Sequence, residues 1–112
     1  LDRITVEGDL IWTYLTQADL AAAGVHAAET DDLIDIVRTA READVAAVLK
    51  QQRDGRFKVS VRSKGGHDVA TVASTFGGGG HRLAAGYTSR HGLAETIHRL
   101  KAALRGEPVA EG

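Results

Sequence analysis

Along the chain the spacing of apolar residues switches between two periods, and the switches mark out the elements. Arg3 to Glu7 alternates, with Ile4 and Val6 on one side, which predicts a strand; Glu7-Gly8-Asp9 is a turn. Leu10 to Leu15 is rich in aromatic and branched residues and predicts a second strand, paired with the first as a hairpin. Thr16 to Ala23 reads as a short helix, with Thr16 as cap and Asp19 as the capping-box acid, and Gly24 stops it. After a connection over Val25 to Glu29, Thr30-Asp31-Asp32 opens a stronger helix carrying Leu33, Ile34 and Val37. Val45 to Leu49 is an unbroken apolar run, as in a central strand covered on both faces. Asp54-Gly55 turns the chain, and from Phe57 to Arg62 it alternates cleanly, with Phe57, Val59 and Val61 toward the core.

Helical spacing returns at Val69, Val72, Ala73 and Phe76, behind the cap Asp68. Leu83 to Ser89 is extended again, and Leu93, Ile97, Leu100 and Leu104 stripe a last helix that Gly106 and Pro108 end. Residues 1–106 therefore predict a single α/β domain, a mixed sheet of about five strands with helices packed on it, and residues 107–112 a disordered tail. The strand from Phe57, the helix from Asp68 and the strand from Leu83 would form a right-handed crossover.

Composition narrows the partners. The chain has 112 residues and a formal net charge of -1, so it carries no overall basic field for a long nucleic acid. It has no cysteine, hence no disulfide and no thiolate metal site. No apolar run approaches membrane-spanning length and no signal peptide is visible, so no membrane partner and a cytoplasmic location are expected. The chain opens on Leu1 and contains no methionine, which predicts a piece of a longer protein.

Candidate chemistry gathers in two places. Gly77-Gly78-Gly79-Gly80 runs into His81 and Arg82. Glycine loses the most backbone entropy on folding, so four in a row point to positive φ or to main chain left bare for a ligand. Successive N–H groups there could form an anion-binding nest, although a flexible turn would use the same residues. Arg62, Ser63 and Lys64 end a strand, and a guanidinium beside a hydroxyl and an ammonium suits a phosphate. Other features have blander explanations. The helix dipole accounts for Asp31 and Asp32, and Asp35 lies on another part of that helix surface, so no metal cluster is read there. Trp12 and Tyr14 share a strand face, where core or interface packing outweighs base stacking; they permit a homodimer without requiring one.

The stretch from Lys58 to Gly86 resembles a known family. Val59-Ser-Val-Arg-Ser-Lys64, followed by Asp68-Val-Ala-Thr-Val-Ala-Ser-Thr-Phe-Gly-Gly-Gly-Gly-His-Arg-Leu-Ala-Ala-Gly-Tyr-Thr88, is similar to the DHH-associated C-terminal domain of DHH-family phosphoesterases. Within that superfamily it looks most like the nanoRNase and pAp-phosphatase branch, which includes cyclic-dinucleotide phosphodiesterases. The resemblance implies a hydrolase whose N-terminal DHH domain, absent from this sequence, binds two Mn2+ ions. It further implies that this domain holds a short oligoribonucleotide, a cyclic or linear dinucleotide (cyclic di-AMP, pApA) or pAp against that centre. Carried over by motif, Arg62 and Ser63 would bind phosphate, Gly78, Gly79 and Gly80 would present N–H groups, and His81 would contact nucleotide or phosphate. No catalytic residue or metal ligand is expected in the chain itself, which alone should hydrolyse nothing. Arg82 stands where many relatives carry proline or lysine and receives no role. The alternative is a nucleic-acid-binding module like the associated domain of alanyl-tRNA synthetases, which would want a basic stripe.

Overall fold

In the computed structural model of the chain, residues 4–23 and 43–109 are described. They form six strands and three helices: β1 Thr5–Glu7, β2 Leu10–Leu15, α1 Gln17–Ala23, β3 Val45–Gln51, β4 Phe57–Ser63, α2 Val69–Thr75, β5 Gly79–His81, β6 Ala84–Ser89 and α3 Leu93–Leu104. The helix expected from Thr30, with Asp31, Asp32 and Asp35, lies outside the described residues. So does the end of the expected tail, but Glu107 within it is fixed: its N–H donates to Ala102 O at 2.9 Å and its carboxylate receives Arg105.

One sheet holds every strand, in the order β1-β2-β3-β4-β6-β5. β2 and β3 run parallel, and the other neighbours are antiparallel. β3 carries an unbroken apolar run because both its faces are covered. Val45, Ala47 and Leu49 join Val59, Val61, Val69, Leu100 and their neighbours in the main core, under α2 and α3. Ala46 and Val48 turn the other way and meet Ile11 and Ala43. Trp12 and Tyr14 pack against the main core, with ring centroids 6.2 Å apart.

Two expectations about topology change. β4 and β6 are antiparallel neighbours, so they are not the two strands of a parallel crossover. The crossover runs from β4 through α2 to β5, one strand further out, and β6 then fills the gap as the second arm of a hairpin. The extra strand is β5 itself, built from part of the glycine run. Without side chains that run shows no alternation, so no strand could be read from its pattern.

The local signals set the helix ends. Thr16 and Asp19 form the reciprocal cap, with Thr16 N–H donating to Asp19 Oδ2 at 2.7 Å and Asp19 N–H to Thr16 Oγ1 at 3.2 Å. Asp68 Oδ1 accepts from the N–H groups of Ala70 (3.0 Å) and Thr71 (3.2 Å) at the start of α2. Removing that cap in Asp68→Ala is expected to lower unfolding free energy by about 1 kcal/mol, read from the urea midpoint. Among the described residues, no helix is long and apolar enough to cross a membrane.

Candidate functional site

The glycine run divides into two jobs. Its first half closes α2: Gly77 N–H donates to Ser74 O (3.1 Å) and Gly78 N–H to Ala73 O (2.8 Å), with Gly77 at φ +83°. This is the paired-bond helix stop that left-handed glycine permits. The Gly78 N–H, expected to face a ligand, is therefore already used inside the protein. The second half is β5, which pairs Gly79 with Gly86, Gly80 with Ala85 and His81 with Ala84. The run is thus an edge strand rather than a loop nest. Its outer edge carries main-chain groups that no strand pairs among the described residues.

Each glycine can be asked whether the fold needs it. A Cβ on Gly78 would overlap Gly86 O and lie 2.5 Å from Tyr87 Cβ. On Gly80, at φ +143°, it would lie 2.6 Å from both Ala84 O and Ala85 Cα. Gly79 differs: its φ is not positive and a Cβ there meets nothing within 4 Å. Nothing in the fold requires Gly79 to be glycine.

Register places Arg62 and His81 on one surface. Arg62 pairs with Ala84 across β4 and β6, and Ala84 pairs with His81 across β6 and β5. Residues opposite each other in adjacent strands share a face, so Arg62, Ala84 and His81 form one row. Two strand spacings separate the outer pair, about 10 Å between backbones. The neighbouring row is Ser60, Gly86 and Gly79. Between Arg62 and His81 the floor therefore carries no side chain larger than a methyl group. This face is the one turned away from α2 and α3, since Val59, Val61 and Ala85 point to the core. The turn Arg82-Leu83 is held at the head of this surface by two main-chain bonds, Ser63 N–H to Leu83 O and Val69 N–H to Arg82 O, each 2.9 Å.

Ser63 is not brought to this row. As the next residue of β4 it faces the other way, is buried, and its Oγ accepts from the N–H groups of Gly65 (3.0 Å) and His67 (3.3 Å). Its hydroxyl donates to Asp44 Oδ2 at 3.4 Å. Ser63 shapes the loop that follows Arg62, and its hydroxyl stands on the side away from the guanidinium.

Sequence reasoning missed the group that organises this loop. Asp44, just before β3, accepts from Gly66 N–H at 3.0 Å and pairs with His67 Nδ1 at 2.7 Å. Burial works to raise the Asp44 pKa, but the His67 hydrogen bond, the Gly66 N–H, the attraction of the His67 charge and the Ser63 hydroxyl outweigh it and hold the carboxyl below its usual range. The 23-position separation of the partners leaves no local signal for the pair. Among the described residues no three His, Cys, Asp or Glu side chains gather as metal ligands. These residues do not fit a two-manganese centre.

The chain is 35% identical over 85 residues to the bifunctional oligoribonuclease and PAP phosphatase NrnA of Thermus thermophilus, a match covering 75% of this chain and 26% of that protein. The chain thus spans about a quarter of the length of that relative. An exopolyphosphatase-related protein from Bacteroides fragilis has the same fold, with a TM-score of 0.81 at 20% identity over 94% of this chain and 32% of that one. The C-Ala domain of Aquifex aeolicus alanyl-tRNA synthetase shares the fold at a TM-score of 0.57 and 21% identity, over 91% of this chain and 97% of that one. The DHHA1 domain model matches residues 10–106, which contain the row of Arg62, Ala84 and His81 and all of the sheet from β2 onward. The chain belongs to the DHHA1 domain family.

Proposed function

We propose that this chain is the substrate-holding domain of a manganese-dependent phosphodiesterase or phosphatase that acts on short oligoribonucleotides, cyclic or linear dinucleotides, or pAp. The two metal ions and the attacking water belong to an N-terminal DHH domain outside this chain. One observation carries the reading: Arg62 and His81 share a row on one sheet face, with only Ala84 between them and bare Gly79 and Gly86 alongside. A flat floor with a guanidinium at one side and an imidazole at the other lets a sugar or base lie close while its phosphate meets Arg62. The 35% identity to a protein named for oligoribonuclease and PAP phosphatase activity supports the same substrate class.

The domain's contribution is orientation and charge. Holding the phosphate in place would convert a chance encounter with a catalytic centre outside this chain into a positioned one. The net charge of -1 favours a ligand of a few nucleotides over a polymer, which weighs against the tRNA-binding alternative despite the shared fold. Calorimetric titration with pApA tests the reading. The chain should bind without hydrolysing, and Arg62→Ala should weaken binding about ten-fold, the loss of one charge-assisted hydrogen bond at a solvated site. His81→Ala should weaken it about five-fold. Equal heats from wild type and Arg62→Ala would overturn the site.

A further inference from the structure

On the α2 and α3 side of the sheet a second cleft opens, about 420 Å3 in volume, between the end of α2, the end of β6 and the start of α3. It is separate from the row at Arg62. Ser89, on its wall, pairs with Phe57 at the other end of β4, and the five residue steps from Phe57 to Arg62 span about 17 Å of strand. The cleft also lies on the opposite face, because Tyr87 and Ser89 turn toward the core.

Its wall is cationic. Arg56, Arg90, His91 and Arg99 all line it. Asp54 answers Arg56 at 2.7 Å and Glu95 answers Arg99 at 2.8 Å. Among the described residues no carboxylate answers Arg90, which is exposed. The turn that carries Arg90 is rigidly held. Ser89 Oγ and Thr96 Oγ1 lie 2.6 Å apart, Ser89 Oγ accepts from His91 N–H at 3.2 Å, and Thr96 Oγ1 donates to His91 O at 3.2 Å. These two hydroxyls fix the turn.

Tyr87 is the independent sign of a ligand. It lines the cleft, is 6% exposed and stacks on Phe76 with centroids 4.8 Å apart. Its hydroxyl is buried beneath the cleft wall and has no hydrogen-bond partner among the described residues, so a ligand meets it only as that wall gives way. Buried hydroxyls in native proteins are almost always paired, and an orphan calls for a reason. A stacked aromatic pair with an unused donor, beside an exposed guanidinium that no carboxylate answers among the described residues, suits a molecule with a ring at one end and an anion at the other.

We propose that this cleft binds a nucleoside monophosphate, its phosphate at Arg90 and His91 and its sugar or base against Phe76 and the Tyr87 hydroxyl. The volume lies in the range of small-molecule pockets, about 300–1,000 Å3. The site is independent of the one at Arg62 and stands whether or not that one holds.

Titration of the chain with AMP, followed by amide NMR and calorimetry, tests the proposal. The amides of Gly77, Ser89, Arg90 and His91 should shift. Arg90→Ala, an exposed change, should weaken AMP about five- to ten-fold. Tyr87→Phe keeps the stacking and removes only the orphan hydroxyl. It should weaken AMP about five-fold while leaving the melting temperature unchanged or raised. Arg62→Ala should leave these shifts intact. Inorganic phosphate should move Arg90 and His91 more weakly than AMP, and adenosine should bind more weakly still. Shifts confined to the Arg62 face, binding unaffected by both cleft variants, or adenosine binding as tightly as AMP would each overturn the assignment.

Discussion

Gly78→Ala should strongly destabilise the domain, while Gly79→Ala, one residue along, should leave its stability almost untouched. At Gly78 the added methyl would overlap Gly86 O and stand 2.5 Å from Tyr87 Cβ. Both obstacles sit on β6, a strand paired on each side, by β4 and β5. Neither can swing away as the tip of a flexible side chain could. Overpacking a core commonly costs about 1–3 kcal/mol and more when backbone must move; with the helix stop of α2 disturbed as well, about 4 kcal/mol is expected. For a domain of this size that is a drop of some 15 °C or more in melting temperature, roughly 4 °C per kcal/mol. At Gly79 the same methyl meets open space. Thermal melts of the two variants should therefore differ widely, and pApA binding should separate them again. Gly79→Ala places its methyl on the same face, in the row beside Arg62, Ala84 and His81, so it should weaken binding in a folded protein. Equal melting temperatures would show that β5 is not held against β6 as described. A folded Gly79→Ala that binds pApA like wild type would remove the ligand from this face.

The contrast between these two glycines shows which parts of the fold the sequence could reveal. Where side chains alternate or stripe, the pattern was sufficient. Phe57, Val59 and Val61 are buried as their spacing implied, and Ile97 and Leu100 are the buried stripe of α3. Short-range chemistry was legible too, since the Thr16–Asp19 and Asp68 caps involve atoms within three residues. β5 was hidden because a strand of Gly79, Gly80 and His81 has almost no side chains to alternate. The antiparallel pairing of β4 with β6 was hidden because direction follows from where the chain returns, and the hairpin at Arg82-Leu83 turns it back. Arg62 and His81 were legible as chemical types in a motif, but their shared row needed the register through Ala84. Asp44, Tyr87 and the second cleft were invisible because their partners come from distant segments. The helix expected from Thr30 lies outside the described residues.

Asp44→Ala should lower stability by about 2–3 kcal/mol at neutral pH, the second largest loss expected of a single change, because one carboxylate holds three groups of the loop behind Arg62. Its oxygens receive Gly66 N–H at 3.0 Å, the Ser63 hydroxyl at 3.4 Å and His67 Nδ1 at 2.7 Å, and the Asp44 side chain is 22% exposed. The same loop joins β4 to α2, so pApA affinity should fall with it. The pH dependence follows from the lowered pKa of Asp44. A carboxyl whose folded pKa lies below its ordinary 3.8 contributes stability that is present above that value and is lost as pH falls through the folded pKa. Urea unfolding of wild type and Asp44→Ala should therefore diverge at about pH 7 and converge toward about pH 2. His67→Ala should lose less than Asp44→Ala, since Gly66 and Ser63 keep the carboxylate. A gap between wild type and Asp44→Ala that stayed constant from neutral to acid pH would mean that packing, not the ionised carboxylate, holds the loop. Arg62 would then owe its place to β4 alone.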